Sequence, residues 1–203
     1  MSSVRRSLAT LALLLAGVTS AHAVIVFSAN LTGGQEVPPN SSAAFGQAQL
    51  VLNNSQTALS YFITINGLDF TGLQTTAPGD DLRAAHIHAS ATSVPGVNAP
   101  VVFGFFGTPA NDNNPNDVIV TPFAIGVGGT ISGKWDAAEG NNTTLTAQLA
   151  NLLAGRAYLN FHTAQFTGGA IRGQILAVPE PGTLALLGIG LVGLGAARRR
   201  RQG

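Results

Sequence analysis

Apolar and polar residues alternate with a period of two along much of this chain. Q-A-Q-L-V-L-N (Gln47 to Asn53) and A-L-S-Y-F-I-T-I-N (Ala58 to Asn66) are the clearest cases, and such alternation marks strands with one buried and one wet face. The runs Gly46 to Leu52 and Leu59 to Ile65 are therefore read as strands. Six further short runs fit the same reading: Ile25 to Leu31, Arg83 to His88, Val101 to Phe106, Gly129 to Trp135, Ala157 to Thr163 and Ile171 to Ala177. Turn clusters such as N-N-S, P-G-D-D, N-D-N-N-P-N and E-G-N-N separate them. Thr144 to Leu153, closed by Gly155, is the one helical candidate. Gly107 to Pro122 reads as a long irregular loop. About eight short strands without βαβ spacing predict an all-β fold, a single antiparallel β-sandwich or barrel.

The two ends break this pattern. Arg5 and Arg6, the apolar run Leu8 to Val18 and Ala21-His22-Ala23 read as a signal peptide cleaved after Ala23. That run is too short for a spanning helix, which needs roughly twenty residues. His22 leaves with the signal. At the other end V-P-E-P-G-T (178–183) precedes an apolar segment, 184–197, and then Arg198 to Arg201. A C-terminal hydrophobic helix is predicted there, with its arginines on the cytoplasmic side. The order Pro179-Glu180-Pro181, apolar segment, Arg198, Arg199, Arg200 and Arg201 resembles the bacterial PEP-CTERM sorting signal. The resemblance implies export, transient inner-membrane anchoring through the tail, and handling by an exosortase-type sorting enzyme. It places the body at the cell surface or outside the cell. Three parts are thus expected: 1–23 signal peptide, 24–177 β domain, 178–203 sorting signal.

Removing the ends changes the charge. The whole chain is formally +1, but between Val24 and Ala177 only Arg83, Lys134, Arg156 and Arg172 face eight acids, which leaves the body at about −4. A body of that charge with four scattered cations has no basic surface for a phosphate backbone, which excludes a nucleic-acid partner. There is no cysteine, so neither disulfides nor thiolate chemistry contribute.

Candidate chemistry concentrates in A-A-H-I-H-A-S. His86 and His88 stand two apart and share a strand face. Asn160 and His162 in Y-L-N-F-H-T share one in the same way, G-G-Q-E-V-P-P places Glu36 on a stiff loop, and G-G-A-I-R-G-Q-I carries the lone Arg172. With Ala43 to Ala48, these stretches resemble the CHRD domain, named after chordin, over roughly Leu31 to Leu176. The resemblance implies an extracellular all-β domain and brings no established reaction. Ala170 stands where the family usually has an acid, which removes an expected partner of Arg172.

H-x-H on one strand, a later histidine and a final-strand arginine are also similar to copper/zinc superoxide dismutase. On that likeness His86, His88 and His162 face a metal, copper or zinc, and Arg172 guides anions. Three neutral imidazoles suit either ion and leave a fourth position open. The bridging histidine, the zinc loop and the disulfide of that family are absent, so dismutation is not implied. The alternative is a hydrogen-bonded polar cluster inside one end of the sandwich, with Asn160 and backbone groups as partners. Glu36 reads as a loop hydrogen-bond acceptor. Asp80, Asp81, Asp112 and Asp117 read as acids of solvated loops, since their spacing matches no calcium motif. No nucleophile elbow, phosphate loop or paired carboxylates appear. The sequence points first to a structural or binding module acting on extracellular polysaccharide or envelope proteins, and second to a metal-binding protein.

Overall fold

The computed structural model describes residues 24–179, 188–192 and 198–199. The predicted signal peptide, Met1–Ala23, together with Glu180, Pro181, Arg200, Arg201 and most of the apolar segment 184–197, lies outside the described residues. Among the described residues no helix is long and apolar enough to cross a membrane.

The strands are β1 (Ile25–Thr32), β2 (Phe45–Leu52), β3 (Ala58–Asn66), β4 (Leu82–Ala89), β5 (Val101–Phe106), β6 (Ile119–Pro122), β7 (Gly128–Asp136), β8 (Ala157–Thr163) and β9 (Ile171–Ala177). They form one antiparallel sheet in the order β5-β4-β8-β9-β1-β2-β3-β7-β6. The predicted all-β class holds, with nine strands in place of about eight. The extra strand is β6, inside the segment expected to be loop. It is four residues long, ends in Pro122 and has three exposed positions, Ile119, Val120 and Thr121. A short edge strand with a proline carries almost no alternation to detect.

The period-two pattern decides which face is the core. Gly46, Ala48, Leu50 and Leu52 of β2 are buried, while Phe45, Gln47 and Gln49 are exposed. In β3 the buried set is Leu59, Tyr61, Ile63 and Ile65. The sheet curls so that β5 at one edge returns to β3 and β7 near the other. Phe103 of β5 stacks on Trp135 of β7 at 5.0 Å between ring centres, and Phe105 meets the Tyr61 ring edge-on at 4.6 Å. The Asn141 amide also donates to the Val102 carbonyl at 2.8 Å. The inner face of this curl is one apolar core.

Helix α1 (Leu145–Leu153) adds Leu145 and Leu152 to that core. The Thr144 side chain caps it by accepting from the Ala147 amide, as a capping threonine should. Gly155, at φ +65, ends it in the left-handed conformation that favours glycine. The predicted helix and its closing glycine hold, with Thr144 serving as the cap and not as the first helical residue.

Candidate functional site

The histidines lie on the outer face of the sheet. Ala85, Ile87 and Ala89 of β4 pair with Phe161, Leu159 and Ala157 of β8, and all six belong to the core. Their neighbours point the other way. His86 is opposite Asn160, His88 opposite Tyr158 and Ala84 opposite His162; Asn160 is in turn opposite Arg172, and Tyr158 opposite Gln174. The expectation of a cluster inside one end of the sandwich is therefore corrected. Alternation along β4 and β8 spends one face on the core and turns the other, polar face outward.

That outward face is nevertheless roofed. His86, His88, Asn160, Arg172, Gln174 and Glu36 are all under 10 % exposed. Three loops supply the cover: the segment carrying Glu36, the connection between β4 and β5, and the turn between β8 and β9. The β4–β5 connection acts as a strap. The Arg172 guanidinium donates to the Val97 carbonyl at 2.8 Å and to Asn98 Oδ1 at 3.1 Å. The Tyr158 hydroxyl accepts from the Ala99 amide at 3.0 Å, and Asn98 Nδ2 donates onward to the Val37 carbonyl.

The rings form a continuous stack beneath this strap. His88 lies parallel to Tyr158 at 4.8 Å, and the Arg172 guanidinium covers the Tyr158 ring at 3.5 Å. A cation over an aromatic face retains part of the solvation it loses on burial. Arg172 therefore has anchors without the acid that Ala170 replaces. Sequence reasoning missed Tyr158 and the strap residues Val97, Asn98 and Ala99. Tyr158 was detectable, since it precedes Asn160 and His162 at the same spacing of two. The strap carries no such signal.

One ring nitrogen from each of His86, His88 and His162 lies within 4.8 Å of the others. His86 Nδ1 is 3.1 Å from His162 Nε2. His88 Nδ1 is 2.8 Å from the Ala99 carbonyl and His162 Nδ1 is 3.0 Å from the Thr167 carbonyl. A carbonyl only accepts, so both Nδ1 atoms carry protons and both Nε2 atoms carry lone pairs. Burial lowers the imidazole pKa of His86 and of His88 to about 4, and lowers that of His162 as well. For His86 the neighbouring histidines add to the effect, and the Thr108 carbonyl opposes it without a hydrogen bond to Nε2. The three rings are neutral at physiological pH. A cleft of about 630 Å³, lined in part by Arg83, Gly107, Thr108, Ala164 and Thr167, opens onto half-buried His162.

Glu36 is buried beside Asn160, whose Nδ2 donates to Oε2 at 3.4 Å. Burial pushes its carboxyl pKa up to about 7, while Arg172 and the Asn160 bond pull it back. Gly169 makes this packing possible. At its φ of +138 an added Cβ would lie within 2.6 Å of both Glu36 oxygens and of Asn160 Oδ1.

One expectation for the acids changes. Asp112 is buried and accepts from the Tyr61 hydroxyl at 2.8 Å, so it is no solvated loop acid. Asp69, with Asp80 and Asp81 close by, folds the loop after β3 by accepting from the amides of Thr71, Gly72, Leu73 and Thr75. Its oxygens are thereby occupied.

The second outward surface covers β1, β2, β3 and β7 and has no roof among the described residues. One cross-strand row runs Ser28, Gln49, Phe62, Ser132; the next runs Asn30, Gln47, Thr64, Thr130. These eight side chains carry no formal charge. Phe62 and Phe45 project from the surface at 55 % and 56 % exposure.

A family model for the CHRD domain matches residues 27–175. The chain belongs to the CHRD family. The match reaches all nine strands of the curled sheet, and it takes in Glu36, His86, His88, Asn160, His162 and Arg172 together. A model of the PEP-CTERM protein-sorting motif matches residues 177–201, directly behind the CHRD domain. The protein is thus an exported CHRD protein, sorted to the cell surface by an exosortase. No curated protein and no solved structure matches the chain.

Proposed function

We propose that the CHRD domain serves at the cell surface as a binding module for neutral polysaccharide, without a reaction of its own. The observation that carries this is the pair of uncharged rows across the middle of the outward face of β1, β2, β3 and β7, with the Lys134–Asp136 ion pair confined to one end of β7. Amides and hydroxyls of Asn30, Gln47, Gln49, Thr64, Thr130 and Ser132 stand there in ordered rows. Each amide both donates and accepts, which matches the hydroxyls of a sugar chain. Phe45 and Phe62 supply apolar platforms on which sugar rings can rest. The β2 partner of Phe62 is Gln49, four residues from Phe45, which sets the two rings about 14 Å apart by strand rise and spacing. A short run of sugar rings spans that distance with the amides beneath it. A rigid strand surface also spares the ordering cost a flexible loop would add.

Affinity electrophoresis tests this with hydroxyethylcellulose, dextran and xyloglucan as neutral polymers and alginate as the acidic one. Retardation by at least one neutral polymer, abolished by Phe62→Ala with unchanged melting, is the expected result. Retardation by alginate alone, or by none of the four, overturns the assignment.

A further inference from the structure

We propose that His86, His88 and His162 form a binding site for one transition-metal ion, copper or zinc, at the mouth of the cleft between the turn after β5 and the β8–β9 turn. This goes beyond the polysaccharide face, which lies on other strands and does not depend on it.

The three rings converge. Three nitrogens no more than 4.8 Å apart share a centre at most about 2.8 Å from each, and zinc–nitrogen bonds of ~2.0–2.1 Å fall inside that limit. Tetrahedral ligands at such bond lengths stand about 3.3 Å apart, close to the 3.1 Å between His86 Nδ1 and His162 Nε2. Small rotations of the rings suffice to admit an ion.

Backbone groups orient the rings. The Ala99 and Thr167 carbonyls hold the Nδ1–H groups of His88 and His162, and so present both Nε2 lone pairs to the same space. Backbone carbonyls fix metal-binding histidines in this way, by taking the proton of the nitrogen that does not ligate. His86 completes the set through Nδ1, the nitrogen that lies 3.1 Å from His162 Nε2, once its proton moves to Nε2.

The lone pairs are out of balance. Glu36 Oε1, His86 Nε2, His88 Nε2 and Asn160 Oδ1 are buried without partners. Glu36 Oε1 and Asn160 Oδ1 lie together against Gly169, apart from the three rings, whereas His88 Nε2 faces the histidine centre. A buried acceptor without a donor is costly, and a cation at that centre supplies the partner that His88 Nε2 lacks. Asn160 does not occupy the centre, because its amide is directed to Glu36. The acidic group at Asp69, Asp80 and Asp81 lacks this feature, its central carboxylate being filled by amides.

Ligand chemistry selects the ion. Three neutral imidazoles with neither thiolate nor carboxylate suit copper(II) and zinc, and suit calcium or magnesium poorly. Copper(II) should bind more tightly than zinc. The cleft leaves a further position for water.

The test uses the full chain in mild detergent, purified without chelator or histidine-rich tag. Copper(II) and zinc are added in separate titrations, with calcium as control, and binding is read by equilibrium dialysis. Copper(II) is also read by electron paramagnetic resonance, where ligand nitrogens split the signal. Near-stoichiometric copper(II) and zinc, nitrogen splitting, and loss of both in His162→Gln support the site. His162 is half-buried, which makes that variant the least disruptive; His86→Gln is the second. If both variants fail to fold, the wild-type spectrum decides, since the chain holds only three histidines after the leader. A folded wild type that takes up neither ion at tens of micromolar, or a copper signal without nitrogen splitting, overturns the proposal. So does equal binding by a folded His162→Gln chain.

Discussion

Replacing Glu36 by glutamine should steepen the loss of stability in acid. The folded-state pKa of Glu36 is raised from 4.5 to about 7, so the folded protein holds this proton more tightly than the unfolded chain does. Its contribution is present at low pH and is lost as pH rises through the unfolded value and then the folded one. Linkage between these two values gives a gain of about 2 kcal/mol on going from pH 7 to pH 5. His86 and His88 act in the opposite sense. Their folded pKa values fall from 6.5 to about 4, so their stabilisation is present above 6.5 and is lost as pH falls toward 4. Each loses about 2 kcal/mol between pH 7 and pH 5, and His162 adds a loss of the same sign. In the wild type Glu36 offsets roughly one histidine. Glutamine keeps the shape and the Asn160 contact but cannot take up the proton. Urea unfolding at pH 7 and pH 5, with EDTA present, checks this. The drop in stability should be about 2 kcal/mol larger in Glu36→Gln, a difference of about 1 M in the urea midpoint. The histidine contributions cancel in that comparison. Parallel behaviour of the two proteins, within about 0.5 kcal/mol, would refute a buried carboxyl that is neutral near pH 7.

Two other substitutions probe the roof. Gly169→Ala forces a methyl group against the Glu36 carboxyl and Asn160 Oδ1 in a strained backbone, and should lower stability by about 2–3 kcal/mol in urea unfolding. Arg172→Lys gives up the planar contact with Tyr158 and the paired bonds to Val97 and Asn98; a point charge does not replace a fork that stacks. It should release the β4–β5 strap, so that limited proteolysis within 90–99 speeds up at least several-fold while the core strands stay protected.

The strands were legible wherever one face is apolar and the other wet, as in β2 and β3, because burial enforces the alternation. β6 was not, since an exposed edge strand has no buried face to write a pattern. The histidine face was half legible. Spacing of two along β4 and β8 correctly put His86 with His88, and Asn160 with His162. What spacing could not show is which side of the sheet they occupy. Ile87, Leu159 and Phe161 hold the core face, and the strap closing over the other side comes from residues 90–99, where no periodicity exists. Glu36 looked like a loop acceptor, and its burial depends on Gly169, more than a hundred residues away in the chain.

The two faces of β4 and β8 tie recognition to folding through a single register. Sliding β8 by one residue against β4 would send Tyr158, Asn160 and His162 into the hydrocarbon interior and bring Leu159 and Phe161 out beneath the strap. Misalignment therefore yields no partly working intermediate: the same slip that empties the polar face also ruins the core. The roof is under no such constraint. Its loops can lengthen, shorten or change sequence while the imidazoles remain in position, so diversification in proteins built this way would concentrate in the cover and leave the ring geometry to the strands.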